Sequence, residues 1–550
     1  GQETKWMGLL TKHLDVWRTI LGQDPPAKTE PMKIDYDRQN TPNMKPGKRK
    51  YSLMERQYLE WFQERLIKIG ICYENPTARY VSPVLVVPKV AVPENYKTDF
   101  RMTVDARKPN SVVRPMYWPM PTMEEIQEHM GGAKYFIKID LKDGFMQIAL
   151  HKDSQELFSF CTHNKVLTPT RMPQGCLDST MWFVYLICKI FAKRINKGLA
   201  IWLDDLILYA KTIGELYELL EFVLEKATEA GLKFSVKKCE FFAQEIVWCG
   251  KLITPEGVDP SKVEALGKMA KPVMASELMQ FLNAAGWIRQ SLPHFAKTTT
   301  PLNTLLTESM DKGLRSKRRA QSIKIKWDEV SSSSFQEAKE LIMNSVTQAH
   351  PNEDMDLGLF PDASDPHWGS MLAQFHYNED LPIQEHKLEP LAFLSGTFKG
   401  SQINWATVEK EAYSILESCD RLRYLLMRPK GFRIFTDHKN LQYMFSPDAT
   451  AKMPARARLM RWALRLQAYK YTIVHIPGEL NLWGDLLSRW GAGATPEVAK
   501  AARPAKGNRR VANPLVQPLR ELKWPTLEKI KEHQEEHGKP NKAQFTLMDG

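Results

Sequence analysis

Tyr135-Phe-Ile-Lys-Ile-Asp-Leu-Lys-Asp-Gly-Phe145 and Leu199-Ala-Ile-Trp-Leu-Asp-Asp-Leu-Ile-Leu-Tyr209 decide how this sequence folds. In the first stretch Tyr135, Ile137 and Ile139 alternate along one face of a strand, which ends in Asp140 before a glycine turn. In the second, Asp204 and Asp205 stand between apolar arms, the pattern of a β-hairpin tip whose arms are buried. Ionised carboxylates in apolar surroundings are costly unless they are paired or hold a cation. No Lys or Arg lies between Leu199 and Tyr209, and hard oxygen ligands suit Mg²⁺. Taken alone, the dipeptide reads as an exposed Asp-Asp turn; its company decides otherwise.

The chain around these stretches has 550 residues, too many for one core. Apolar residues make up 43% and charged residues 25%, which excludes wholesale disorder. A formal charge of +12 suggests a polyanionic partner. Seven scattered cysteines without a C-x-x-C pair argue against a disulfide framework or zinc knuckle and favour a reducing compartment. Met181–Cys188, the longest near-apolar stretch, is far short of a bilayer span, and no signal peptide is expected at the start. Strands alternate with helices from Tyr135 to Ile253, as in an α+β or α/β sheet domain. Residues 1–50 read as a mobile arm with one short amphipathic helix near Trp6–Leu21, and Ser52–Ile69 reads as a helix. Lys312–Lys326 holds seven basic residues and no acid, a run usually found as a solvated loop.

A second acidic set lies downstream. Leu359-Phe-Pro-Asp-Ala-Ser364 and Phe432-Arg-Ile-Phe-Thr-Asp-His438 each run a strand into an acid. Between them a helix near Thr407–Leu426 carries Val408, Ala412, Ile415, Cys419, Leu422 and Leu426 as its apolar stripe. Glu411 borders that stripe and Glu409 also has apolar neighbours, so spacing does not choose between them. His475-Ile-Pro-Gly-Glu-Leu-Asn-Leu-Trp-Gly-Asp-Leu-Leu-Ser-Arg489 closes the block with a strand, a turn and a helix bearing Asp485. Asp362 by itself could be a cap or bend residue.

In this order the motifs resemble a reverse transcriptase, close to those of gypsy-type LTR retrotransposons, followed by its ribonuclease H domain. The resemblance rests on Asp140-Leu-Lys-Asp-Gly-Phe145, Met172-Pro-Gln-Gly-Cys-Leu177, Trp202-Leu-Asp-Asp205, Gly231-Leu-Lys-Phe-Ser-Val-Lys-Lys-Cys-Glu-Phe241 and Val247-Trp-Cys-Gly250. Upstream, Ser82-Pro-Val-Leu-Val-Val-Pro-Lys89 and Phe100-Arg-Met-Thr-Val-Asp105 resemble the family's fingers strands. It implies an α+β multidomain chain: a right-hand polymerase with fingers, palm, thumb and connection, then a ribonuclease H-like α/β domain. The expected divisions are an N-terminal arm at 1–50, fingers and palm at 51–255, thumb and connection at 256–350, ribonuclease H at 351–490, and a basic linker with a spacer helix at 491–550.

By the same resemblance, Asp140, Asp204 and the Leu141 carbonyl hold two Mg²⁺ ions, with Mn²⁺ as a substitute, and Asp205 supports them. Lys89 and Arg101 offset the triphosphate, Phe145 selects deoxynucleotides, and Gln174 with Gly175 touches the incoming nucleotide. Lys238 is a weaker candidate, as a general acid. Trp202, Trp248, Cys249 and Gly250 hold the primer; Trp202 departs from the Tyr or Phe usual there. Asp362, Glu411, Asp437 and Asp485 are the nuclease's metal ligands. The implied partners are an RNA template, a DNA primer, the RNA–DNA hybrid and deoxynucleoside triphosphates, with self-association and no membrane. The implied setting is a cytoplasmic retrotransposon particle with access to the nucleus. The rival readings are a non-catalytic nucleic-acid scaffold and a polymerase with a silent nuclease.

Overall fold

The alternation around Asp140 and Asp204 becomes one antiparallel sheet in the computed structural model, which describes residues 2–40, 49–90, 93–260, 263–310, 317–445 and 457–476. Its strand order is Glu240–Ala243, Tyr135–Asp140, Asp205–Ala210, Leu199–Trp202. Ile137, Ile139, Leu206 and Leu208 present one apolar face. Two helices cover it, Ser179–Phe191 through Phe183 and Ile187, and Ile213–Ala230 through Leu216, Leu220 and Leu224. The second helix starts in a Thr212–Glu215 capping box and stops at Gly231, whose φ of +71° ends the helix in a left-handed turn.

The N-terminal segment is not a mobile arm. Its helix, Gln2–Lys12, ends nine residues before the expected Leu21, and Trp17–Arg18 then pairs in parallel with Phe234–Ser235. Trp6, Leu9, Leu10, Val16 and Trp17 are all buried in the core of the Asp140 sheet. Burying each such side chain stabilises the fold by roughly 1.5–3 kcal/mol, more than a free arm would forgo. Scattered Pro and charge concealed a stripe that packs through irregular chain rather than through one long helix.

A five-stranded sheet carries Ser82–Pro88 and Phe100–Val104 as an antiparallel pair at its edge. The helix Leu53–Lys68, close to the expected 52–69, packs on it through Tyr58, Leu59 and Leu66, and begins in a Ser52–Glu55 capping box. These elements form one compact body ending at Gln244; a second begins at Glu245.

The second body opens with the hairpin Ile246–Trp248 and Lys251–Ile253, extended by Gly257–Pro260 and Gln348–Ala349. Helices Ala275–Trp287, Phe295–Ser309 and Glu329–Met343 pack through Phe281, Leu302, Leu306 and Phe335. Part of the basic run is ordered here: Ile323 and Ile325 pack inward, while Lys324 and Lys326 alternate outward. Its residues 312–316 lie outside the described residues. A five-stranded mixed sheet follows, ordered Glu389–Thr397, His367–Phe375, Asp356–Ser364, Phe432–Thr436, Tyr471–His475. The helix Thr407–Arg421 buries Ala412, Ile415 and Cys419 against it, and the chain breaks at Leu422 before Arg423–Leu426. The expected linker and spacer helix at 491–550 lie outside the described residues. Among the described residues no helix is long and apolar enough to cross a membrane.

Candidate active sites

Register places the first acidic set. Asp140 is directly opposite Asp205, and Trp202 is opposite Asp205 on the other side, so Leu203 and Asp204 form the two-residue turn. Leu203 adopts a φ of +56°, a left-handed conformation that costs an ordinary residue roughly 1–2 kcal/mol. The turn is anchored by the Leu141 N–H, which donates to the Asp204 carbonyl at 3.0 Å. Asp204 therefore projects at the surface, whereas Asp140 is buried.

Like charges facing each other across a strand pair destabilise it. Burial pushes the Asp140 carboxyl above its ordinary range; Lys238 opposes that shift and Asp204 adds to it. Burial likewise raises Asp205, Lys138 opposes, and Asp204 and Asp140 add. One cation already answers this field: Lys238 Nζ lies 3.1 Å from Asp140 Oδ2. The expected general acid is thus bonded to an expected metal ligand.

The loop after Asp140 is built to a tight tolerance. A Cβ on Gly144 would lie 2.7 Å from Phe183, so the Asp-Gly-Phe turn admits only glycine in its middle. Phe145 is half-buried and meets Phe183 edge-on, with ring centroids 5.2 Å apart. Gln147, which no sequence motif singles out, donates to the Lys142 and Lys233 carbonyls at 2.7 and 2.8 Å and accepts from the Lys233 N–H at 2.7 Å. The Lys233 ammonium is buried and bonds Asp15 Oδ2 at 2.6 Å, so the N-terminal segment braces this loop.

The other expected contacts divide. Gln174 and Gly175 are exposed on a turn where Gly175 has a φ of +92°. Asn110 holds that turn from both sides, donating to the Gly175 carbonyl and accepting from the Leu177 N–H. Arg101 is exposed on the strand Phe100–Val104, and Lys89, exposed just past the end of its neighbour, donates from Nζ to the Thr98 carbonyl at 2.9 Å. Trp202 is half-buried beside the Asp-Asp turn. Cys249 and Gly250, with φ of +48° and +77°, form a two-residue hairpin turn. Trp248 is a correction. Its indole is fully buried, so it anchors the hairpin and cannot touch a primer. Strand alternation puts Val247 on the exposed side instead.

In the second body Asp362 stands two residues before the end of one central strand and Asp437 follows its parallel neighbour. Glu411 is buried, and its Oε1 accepts the Ala363 N–H at 3.3 Å. Burial first, then Asp362 and Asp437, push its carboxyl up to about 8. Asp362 is also raised, by burial and by Asp437. Asp362 and Asp437 therefore lie within electrostatic reach of Glu411. Glu409, the alternative left open by spacing, instead accepts the Ala406 N–H in a helix cap and pairs with Arg458 at 3.1 Å. His475 Nε2 lies 3.2 Å from the Asp437 carbonyl, a structural contact. Asp485 lies outside the described residues.

Among the described residues no three acidic, histidine or cysteine side chains are drawn together into a ready-made metal-ligand group. The donor chemistry nonetheless fits a hard divalent cation at both places: carboxylates are gathered against their own repulsion, and at the first a lysine stands in as counterion.

Residues 87–267 match the family described as reverse transcriptase (RNA-dependent DNA polymerase), and residues 352–469 match the RNase H-like domain found in reverse transcriptase. The chain carries a reverse-transcriptase domain followed by a ribonuclease H-like domain. A similar curated relative is the retrovirus-related Pol polyprotein from transposon opus of Drosophila melanogaster, 30% identical over 438 residues, which are 79% of this chain and 42% of the relative. The transposon Tf2-3 polyprotein of Schizosaccharomyces pombe is 27% identical over 426 residues, 77% of this chain and 30% of the relative. The chain thus spans less than half the length of these relatives. Its fold resembles the foamy viral protease-reverse transcriptase solved with dsDNA, with a TM-score of 0.72 at 20% identity over 87% of this chain and 94% of that one.

Proposed function

We propose that this chain copies RNA and DNA into DNA and cleaves the RNA strand of the resulting RNA–DNA hybrid, as the reverse transcriptase–ribonuclease H region of a gypsy-type LTR retrotransposon. The carrying observation is the opposition of Asp140 to Asp205 across one strand pair, with Asp204 on the adjoining turn and Lys238 bonded to Asp140. Foamy viral protease-reverse transcriptase, of similar fold, has been solved with dsDNA and with an RNA/DNA hybrid, which supports nucleic acid as the partner class.

Asp140, Asp204 and the Leu141 carbonyl would hold two Mg²⁺ ions, and Asp362, Glu411, Asp437 and Asp485 two more. Bound there, such ions lower the pKa of an attacking hydroxyl or water and neutralise a departing oxyanion. The chain's own groups do the rest. Lys89 and Arg101 offset triphosphate charge, Arg suiting a two-point contact and Lys acting as a point charge. Phe145, fixed edge-on by Phe183, sits below the sugar and leaves no room for a 2′-hydroxyl. The turn held by Asn110 presents Gln174 and Gly175 to the nucleotide. Lys238 keeps its proton beside Asp140, whose bond raises its pKa against the effect of burial, and so stands as a proton donor to a leaving group. A hybrid is read through backbone and shape, which the positive charge of the chain supplies without base contacts. The reading extends to deoxynucleoside triphosphates as substrates and to a cytoplasmic retrotransposon particle as the setting.

The test is primer extension on poly(rA)/oligo(dT) with Mg²⁺, run beside cleavage of a labelled hybrid. Asp204→Asn should abolish extension and spare cleavage, and Asp437→Asn should do the reverse. One substitution that removed both activities from a folded protein would refute the two-site assignment.

A further inference from the structure

The helical segment after Glu245 and the ribonuclease H-like sheet belong to the same compact body. Across three strands of that sheet Asp362 stands opposite Gly369, and Gly369 opposite Ser395. Directly opposed residues share a face, so one row runs from the Asp362 carboxylate to the Ser395 hydroxyl, about 10 Å at two strand spacings. Gly369 leaves a gap in the row, and His294 fills it, its Nδ1 3.6 Å from where a Cβ would stand. Ser395 Oγ accepts the Ala296 N–H at 2.9 Å. Further along, the Thr397 hydroxyl lies 3.2 Å from Thr300 Oγ1 and 3.2 Å from His367 Nδ1. The start of the helix Phe295–Ser309 is thereby fixed against the row that ends in Asp362.

Lys297 lies between the two fixed residues, Ala296 and Thr300, and is exposed. Its charge reaches Asp362, where it favours the carboxylate, and His367, where it disfavours a second cation. It forms no salt bridge among the described residues. A cation in the first turn of a helix opposes the helix dipole, so helix stability does not account for it. Neighbouring His294 is half-buried, and desolvation, then the charge of Lys297, lowers its pKa.

We propose that Lys297 contacts a backbone phosphate of the RNA strand of an RNA–DNA hybrid beside the Asp362–Glu411–Asp437 cluster, presented by the helix that precedes the ribonuclease H-like fold. The inference rests on the nuclease reading above. It makes the helical segment part of the nuclease's substrate surface, so the sheet domain cut free of that segment lacks a strand-positioning cation.

The test uses the full chain with Lys297→Ala, Lys297→Glu and Lys297→Arg. Hybrid cleavage with Mg²⁺ gives KM and kcat, and hybrid binding without divalent ions is followed by fluorescence anisotropy over a salt series. With one phosphate no longer neutralised, KM should rise several-fold in the Ala variant and further in the Glu variant, with kcat within about twofold, and the salt slope of binding should fall by about 0.9. The Arg variant should restore both. An Ala variant with unchanged KM and unchanged slope overturns the proposal, as does a fall in kcat alone that Arg does not rescue, which marks a counterion of Asp362. Cleavage by the wild type with no effect of Lys297 refutes the contact and leaves the nuclease reading standing. A wild type that never cleaves, with binding whose slope still falls in the Ala variant, refutes the nuclease reading and leaves the contact standing.

Discussion

Replacing Glu411 by Gln should stabilise the metal-free protein while abolishing hybrid cleavage, and the stabilisation should depend on pH. Glu411 is only 6% exposed and faces Asp362 and Asp437, so its carboxyl rises from 4.5 to about 8. Between those values the folded state holds a proton that the unfolded chain has released, so stability falls as pH rises. A rise of that size corresponds to a penalty of about 5 kcal/mol above pH 8 and about 2 kcal/mol near pH 6. Gln keeps the shape and an oxygen to accept the Ala363 N–H, which Glu411 accepts at 3.3 Å. The variant should therefore gain nothing near pH 4.5, gain progressively to pH 8, and level off. In a unit of this size each kcal/mol moves Tm by about 2–4 °C, so the gain at pH 8 is on the order of 10 °C. Differential scanning calorimetry in EDTA at pH 5, 6.5 and 8 reads it directly. Adding Mg²⁺ should then raise the Tm of the wild type more than that of the variant. A variant that is destabilised, or whose gain is the same at all three pH values, would refute the claim that buried Glu411 is held protonated by burial and by the charges of Asp362 and Asp437.

Three further outcomes follow from the same reasoning. Asp15→Asn should lower stability by about 1–3 kcal/mol, because Lys233 is buried and would be left without its ionic partner, and should slow primer extension through the 142–147 loop. Burial works to raise the Asp15 carboxyl, but hydrogen bonds from Lys233 and Arg18 leave it below its usual value, so this stabilisation is present above about pH 4 and fades as pH falls further in a denaturant series. Phe145→Val should cut discrimination between deoxy- and ribonucleotides by on the order of tenfold or more, about 1.4 kcal/mol, read as the ratio of kcat/KM values; unchanged selectivity would remove Phe145 from the sugar site. Changing the seven basic residues of Lys312–Lys326 to Ser should reduce the salt slope of hybrid binding by about 0.9 for every phosphate the run neutralises, and an unchanged slope would make the run a solvated loop.

Much of this protein was legible in its residue order. Strands of period two before Asp140, Asp362 and Asp437, the Asp204–Asp205 hairpin tip, and the apolar stripe of the 407–421 helix follow from local rules of alternation and spacing, and the structure keeps them. What chain order left open depended on which buried surfaces meet. The N-terminal segment looked like an arm because its apolar residues follow no single period, yet Trp6 and Trp17 complete the core and Asp15 braces the loop after Asp140. Trp248 looked like a surface aromatic until the register of its hairpin turned it inward. Glu411 was separated from Glu409 only when Arg458 and a helix cap claimed the latter. Lys297 gained its place beside Asp362 from an alignment of three strands and a helix start that no local pattern encodes. Sequence by itself determined the elements and the acidic chemistry, because hydrophobic period and backbone turns act over a few residues. Tertiary structure alone decided which charges meet, because electrostatic pairing and burial depend on distances between residues far apart in the chain.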